Sequence, residues 1–324
     1  MFTKSKLLTL LSAGIFALAC GSAQATDTVS VKVTSIVEHP ALNAVRDGTR
    51  DELAEHGYVV GKNLQWEFQT AQNDIGIASQ IARKYVGDNP DVIVAIATPS
   101  AQAVVSAARG RIPVVFSAVT DPVGAKLVDS LEHPGANVTG VSDKAPVDRQ
   151  LELIRTLMPK AKTLGVPYNP GETNAVSQVE TLKQLAPEYG FSIETAAAPK
   201  SSRVLIATRS LVGRADAIYV PTDNTIASAA EAVVKVGQTA DIPVFAADTN
   251  IVERGAAASI GFSYYNIGRQ TGAVVARILD GADPGSIPVQ FIDKLQIHLN
   301  PASAEKMGLT FPDALVEHAY KIID

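Results

Sequence analysis

The chain has 324 residues, of which 46% are hydrophobic, and its 28 basic and 33 acidic side chains give a formal net charge of −5 at pH 7. An acidic chain lacks the electrostatic footprint with which proteins bind nucleic acid or anionic lipid, so we expect neither as a partner. Its length and hydrophobic content are sufficient for two domains of ordinary size.

The first 25 residues have the pattern of a cleavable secretory signal peptide. Lys4 and Lys6 precede an apolar core at 7–19, and the small residues AQA at 23–25 form a cleavage site. The core is shorter than the roughly 20 residues that a membrane-spanning helix needs. We therefore expect export and cleavage at this site. The alternative is a lipoprotein anchored at Cys20, the chain's single cysteine.

From residue 29 to 121, apolar runs alternate with helical patterns. A helix that follows the first strand places Leu42, Val45 and Leu53 on one face. Strict alternation around Trp66 is typical of an edge strand with one buried side. Strands are thus predicted at 29–37, 63–69, near 91 and near 112, and helices after 40, at 75–86 and at 101–108.

One pattern of strands and turns occurs twice. DVIVAIATPS at 91–100 precedes IPVVFSAVTD at 112–121, and DAIYVPTD at 216–223 precedes IPVFAADT at 242–249. Continuous apolar runs of this kind are typical of parallel strands covered by helices on both faces. The repeat predicts an α/β fold with two Rossmann-like lobes, each built on a parallel sheet. Ligands bind at the carboxyl ends of such strands, where the polar turns lie.

Three later segments are candidates for strands that connect the lobes, around Gly140, around Phe262 and at 287–291. Several crossings make a hinge whose closure buries a ligand. We expect lobe 1 to comprise 26–142 and about 263–288, and lobe 2 to comprise 143–262 and about 289–324.

Signatures of catalysis are missing from the sequence. There is no phosphate-binding loop, no Gly-x-Gly-x-x-Gly after a strand, no His-Glu-x-x-His and no Gly-x-Ser-x-Gly. The five histidines are not spaced as metal ligands. We therefore expect a protein without catalytic residues, metal or cofactor.

Instead, hydroxyl, amide and carboxylate side chains follow the strands, with aromatic residues close by. Many of them have a structural alternative, because Ser, Thr, Asp and Asn are also the usual N-caps of helices. As a set they suit a small zwitterion. Helix N-termini attract its carboxylate, a side-chain carboxylate pairs with its ammonium, and aromatic rings hold its side chain.

Six segments carry a resemblance to a known family: EHPAL at 38–42, ATPSAQA at 97–103, TDPVGA at 120–125, GANVTG at 135–140, YVPTDNT at 219–225 and GFSYYNIGRQ at 261–270. They resemble the substrate-binding proteins of ABC importers, and in particular the subgroup typified by tryptophan-binding, TrpX-like proteins. The similarity extends over almost all of 29–309.

The resemblance implies a type I periplasmic binding fold, with two lobes, a three-segment hinge and a ligand captured by closure. It implies an ABC permease and an ATPase in the inner membrane as partners, and an amino acid, aromatic in particular, as the ligand of a monomer in the periplasm. Two alternatives stay open, namely a receptor for a sugar or purine-like ligand and a periplasmic sensory protein.

Within this frame, we expect Asp248 to pair with the ligand ammonium, with Asp223 as a second candidate. Thr98, Ser100 and Thr120 are expected to bind the carboxylate. Tyr168, Phe262 or Tyr264 would flank the side chain. The complete set of candidate ligand-binding residues is Glu38, His39, Thr98, Ser100, Thr120, Asp121, Ser142, Tyr168, Asn169, Asp223, Asp248, Phe262, Tyr264 and Tyr265.

Overall fold

A computed structural model describes residues 28–323. The predicted signal peptide at 1–25, its cleavage site and Cys20 lie outside these residues. Among the helices of 28–323, none has both the length and the apolar character to cross a bilayer.

The first lobe is built on a five-stranded parallel sheet of order β2-β1-β3-β4-β5. Val31 of β1 pairs with Trp66 of β2 on one side and with Val92 of β3 on the other, so β2 is an edge strand as predicted. The elements up to the end of this sheet are β1 (Val29–Ser35), α1 (Pro40–Glu55), β2 (Leu64–Thr70), α2 (Ile75–Gly87), β3 (Val92–Ile96), α3 (Thr98–Ala108), β4 (Val114–Ser117) and β5 (Val138–Val141).

The second lobe is built on a seven-stranded sheet of order β12-β11-β10-β9-β8-β6-β7. Its elements are α4 (Val147–Leu157), β6 (Thr163–Tyr168), α5 (Thr173–Leu185), β7 (Ser192–Ala197), α6 (Val204–Arg209), β8 (Ala217–Val220), α7 (Asn224–Ser228), α8 (Ala230–Ala240), β9 (Val244–Ala246), α9 (Asn250–Glu253), β10 (Ala258–Gly261), α10 (Tyr264–Leu279), β11 (Gln296–Leu299), α11 (Pro301–Lys306), α12 (Asp313–Glu317) and β12 (Lys321–Ile322). The exception is α10, which follows β10 in the chain but packs on the first lobe.

One strand departs from the predicted parallel arrangement. Pairing of β11 with β10 is antiparallel, whereas the other pairings in this sheet are parallel. The chain re-enters the second lobe through the hinge instead of through a crossover helix, so no parallel connection is imposed. The strand itself is short, since it comprises only Gln296–Leu299.

The chain passes between the lobes three times, after β5, after β10 and before β11. The last passage runs beside the first, because Ser142 N donates to Gln290 O at 2.9 Å and Val141 forms a bridge with Gln290. The three-segment hinge and the type I architecture are thus confirmed. The domain boundaries at 142/143, 262/263 and 288/289 stay a proposal.

The return of α10 to the first lobe depends on a close approach to α1. A Cβ added at Gly268 would lie 2.2 Å from Val45 O, and one added at Gly48 would lie 2.3 Å from Tyr265 O. Only glycine permits this backbone contact. The lobes have separate apolar cores, and that of the first lobe includes Ile267 and Val275 of α10.

Candidate functional site

A narrow cavity lies between the carboxyl ends of the two sheets. The first lobe, the hinge and the second lobe all contribute to the walls, which are formed by His39, Leu42, Ala118, Thr120, Asp143, Asn174, Pro221, Thr222, Asp223, Asn224, Ala227, Asp248, Ile251 and Tyr264. Within residues 28–323, the wall of this cavity contains no lysine and no arginine.

Asp143 is a buried carboxylate at the hinge that the sequence prediction did not select. It accepts hydrogen bonds from Thr120 Oγ1 at 2.9 Å and from Tyr264 Oη at 3.0 Å. Burial, together with the nearby charge of Asp248, raises its pKa to about 6. Both Thr120 and Tyr264 were predicted site residues, and the structure places them at this carboxylate.

Asp248 is the second buried carboxylate of the cavity. Its Oδ1 accepts hydrogen bonds from the backbone N and from Nδ2 of Asn250, both at 2.8 Å. Burial raises its pKa to about 6. Asp143 and Asp248 therefore present two carboxylates to one cavity without an ion-pair partner within 4.0 Å among residues 28–323.

Asp223 also lines the cavity, but the second lobe already uses both of its oxygens. It caps α7 by accepting from Ile226 N at 2.9 Å, and it accepts from Asn169 N at 2.6 Å. Burial and the neighbouring Glu172 carboxylate raise its pKa well above the usual value. The N-cap alternative therefore describes Asp223 better than an ammonium site does. Asn169 belongs to the same network, since its Nδ2 donates to Thr225 at 2.9 Å.

The N-terminus of α3 lies at the end of β3, between the strands that lead to His39 and to Thr120. Ala97 and Ala118, which follow β3 and β4, have φ angles of 72° and 53°, a conformation that L-residues rarely adopt and that is frequent at binding sites.

Two hydroxyl groups at this helix start are buried without a partner. Thr98 Oγ1 and Ser100 Oγ form no hydrogen bond within the described chain, although both residues are only 1% exposed. The first N–H groups of a helix also have no intrahelical acceptor. The start of α3 is thus an unsatisfied set of donors at the carboxyl end of β3, although neither Thr98 nor Ser100 lines the cavity.

His39 lies in the cavity wall next to Leu42 and is only 9% exposed. Burial, assisted by the charge of Arg254, lowers its pKa to about 4, so its imidazole is neutral at neutral pH. Glu38 instead points to solvent and forms an ion pair of 3.5 Å with Arg46.

Four further predicted residues lie outside the cavity wall. Tyr265 is 39% exposed on the outer face of α10 and donates to Asp51 at 3.0 Å. Phe262 packs against the Tyr264 ring at a centroid distance of 5.9 Å. Ser142 Oγ accepts from Lys144 N within the hinge at 3.2 Å. Tyr168 is half-buried against the second core.

The remaining predicted residue, Asp121, forms a turn and a contact between the lobes. Its Oδ1 accepts from Gly124 N at 2.9 Å, and its Oδ2 accepts from Ser177 Oγ of α5 at 2.9 Å. Asp121 thus binds the opposite lobe instead of facing the cavity.

Comparisons with known proteins identify relatives of the whole chain. A tyrosine-binding protein of Clostridioides difficile (strain R20291) is 39% identical over 95% of this chain and 94% of its own length. The crystal structure of a conserved domain protein from Vibrio cholerae O1 biovar El Tor is 51% identical, with a TM-score of 0.90, and covers 91% of this chain and 100% of that one. A Streptococcus pneumoniae structure, described as an ABC domain in complex with L-Trp, is 35% identical, with a TM-score of 0.88, over 92% of this chain and 100% of that one.

The family model for ABC transporter substrate binding proteins matches residues 30–323. This family acts outside the cytoplasm and binds substrates without converting them. The chain therefore belongs to the ABC transporter substrate-binding proteins.

Proposed function

We propose that this protein captures an α-amino acid, with an aromatic side chain, and delivers it to an ABC importer. The observation that carries the proposal is the pair of buried carboxylates, Asp143 and Asp248, that face one cavity whose wall within residues 28–323 contains no lysine or arginine. The unsatisfied donors at the start of α3 lie at the end of β3, between the strands that lead to the cavity residues His39 and Thr120. The carboxylates suit the ammonium group of a zwitterion, and the hydrogen-bond donors suit its carboxylate.

The ammonium group is assigned to the two carboxylates. The raised pKa values of Asp143 and Asp248 indicate that burial destabilises their charged forms. A bound ammonium group supplies the missing countercharge. Thr120 and Tyr264 fix the orientation of Asp143 from two different elements, so the carboxylate is positioned before ligand arrives.

The carboxylate group is assigned to the start of α3. Thr98 and Ser100 offer hydroxyl groups there, and the adjacent free backbone N–H groups and the helix dipole attract an anion. The ammonium end then contacts carboxylates without a countercharge, and the carboxylate end contacts hydroxyls without a hydrogen-bond partner among residues 28–323.

Two observations support an aromatic side chain on the ligand, namely the names of the relatives and the apolar part of the cavity wall. The C. difficile relative is named for tyrosine, and the S. pneumoniae structure contains L-Trp. Leu42, Pro221 and Ile251 supply apolar surface from both lobes, and the ring of Tyr264 lies in the same wall. Aromatic side chains gain most from such enclosure.

We further propose that the protein works as a monomer in the periplasm after cleavage of residues 1–25. An inner-membrane permease and its ATPase would be the partners, as the family implies. The alternative is that the exported protein is a lipoprotein anchored at Cys20.

Thermal unfolding of residues 26–324 in the presence of amino acids, sugars and polyamines tests the proposal. A ligand at 100 times its dissociation constant adds about 2.7 kcal/mol of stability. We expect such a shift with tyrosine or tryptophan and none with sugars. A shift with a sugar and none with any amino acid would overturn the proposal.

A further inference from the structure

Outside the cavity, side chains of the two lobes bind each other directly across the cleft. Ser177 Oγ of α5 donates to Asp121 Oδ2 at 2.9 Å, and Gln102 Nε2 of α3 donates to Thr173 Oγ1 at 3.3 Å. Of these four side chains, only that of Asp121 was expected to take part in ligand binding. None of the four lines the cavity.

A third bond joins the lobes through the loop between β2 and α2. Asn73 Nδ2 donates to Thr225 Oγ1 at 3.0 Å, and the same hydroxyl donates to the buried Glu172 carboxylate at 2.7 Å. Gln72 and Asn73 have φ angles of 53° and 62°, so this loop holds two consecutive left-handed residues. The acceptor is therefore fixed by the second lobe, and the donor is fixed by an unusual turn of the first.

We propose that these three bonds form a latch that holds the lobes together around the ligand, and that its residues are positioning residues for ligand capture. The latch comprises Asn73, Gln102, Asp121, Thr173, Ser177 and Thr225. Capture by closure around a small ligand is part of the proposed function, on which this inference rests.

The physical argument concerns the two states of the hinge. When the lobes separate, each latch group exchanges its partner for water, so the bonds stabilise only the closed state. A contact present in one of two states shifts the equilibrium by its own free energy. A hydrogen bond between neutral groups changes such a constant by a factor of roughly 2 to 12, and a bond to a carboxylate such as that of Asp121 changes it by more. The latch therefore strengthens ligand binding without touching ligand.

The test uses Ser177→Ala combined with Thr173→Val, which remove two latch hydroxyls from α5. L-tyrosine is the probe, with its dissociation constant from calorimetry and its rates from stopped flow. We expect a dissociation constant raised about ten-fold, mainly through faster dissociation, and an unchanged melting temperature of the ligand-free protein.

Matched controls are Ser79→Ala and Thr181→Val, whose hydroxyls bond to carbonyls of their own helices at 2.9 and 3.0 Å. We expect these variants to bind L-tyrosine as the parent does. Equal affinity of the latch variant and the parent would overturn the latch.

A second measurement does not depend on the ligand assignment. Spin labels at Gln80→Cys and Gln184→Cys, on exposed positions of α2 and α5, report the distance between the lobes. The latch predicts that spin-labelled protein with Ser177→Ala and Thr173→Val populates the short distance of the closed lobes less than the labelled parent does. This difference is expected with and without ligand. Identical distance distributions would also overturn it. Failure of the parent to bind L-tyrosine would instead count against the proposed function.

Discussion

Replacement of Asp143 by asparagine should change stability and affinity in opposite directions. Burial raises the pKa of this carboxyl from 3.8 to about 6. A difference of about 2 units corresponds to about 3 kcal/mol by which the folded protein disfavours the charged form at pH 7. An amide carries no such penalty, and hydroxyls at Thr120 and Tyr264 can each donate or accept, so the local hydrogen bonds can be kept.

We therefore expect Asp143→Asn to raise the unfolding free energy of the ligand-free protein at pH 7, by up to about 3 kcal/mol. The gain should be about half as large at pH 5 and should vanish only near pH 3, below the pKa of 3.8 that the carboxyl has in the unfolded chain. Loss of one partner of a buried charge pair costs about 2–5 kcal/mol of binding, so affinity for L-tyrosine should fall at least about 30-fold. Denaturant unfolding and calorimetry measure the two effects.

Asp216→Asn is the matched control. This exposed aspartate accepts from Lys162 N at 2.7 Å and from Thr163 N at 2.9 Å, and these bonds lower its pKa. Its replacement should lower stability and leave the affinity unchanged. An Asp143→Asn variant that binds L-tyrosine within two-fold of the parent would refute the ammonium assignment.

Three further outcomes follow from the same geometry. Because Asp143 and Asp248 lose their charge below about pH 6, the dissociation constant for L-tyrosine should rise about ten-fold per contributing carboxylate between pH 7 and 5, and a flat profile would count against both. Thr98→Val with Ser100→Ala should weaken binding of L-tyrosine more than that of L-tyrosinamide, which lacks the carboxylate, as competition assays can show. Gly268→Ala should lower the melting temperature strongly, since its Cβ would meet the backbone of α1, whereas an unchanged value would contradict the close contact.

The sequence predicted the architecture because a buried parallel strand has an unambiguous pattern. The apolar runs at 91–100 and 216–223 became β3 and β8, each an interior strand of its sheet. Gly57 and Gly190 have the left-handed φ angles, 90° and 74°, that a helix end requires. The antiparallel β11 was not predicted, because its direction depends on where the hinge returns the chain.

The site was harder to predict, because its chemistry depends on distant elements. Asp143 and Tyr264 are 121 residues apart, and only the hinge brings them together. Tyr264 and Tyr265 are adjacent on a helix, so about 100° separates them and only one faces the cleft. Asp223 and Asp248 follow the adjacent strands β8 and β9, and only the start of α7 makes Asp223 a cap.

The most direct test of the central claim is the comparison of L-tyrosine with its deamino analogue, 3-(4-hydroxyphenyl)propionate, in calorimetric titrations at pH 7.5. The two differ only in the ammonium group that is assigned to Asp143 and Asp248. We predict that L-tyrosine binds and that the analogue binds at least about 100-fold more weakly, if at all. Equal affinities would contradict the account, because the paired carboxylates would then have no role in recognition.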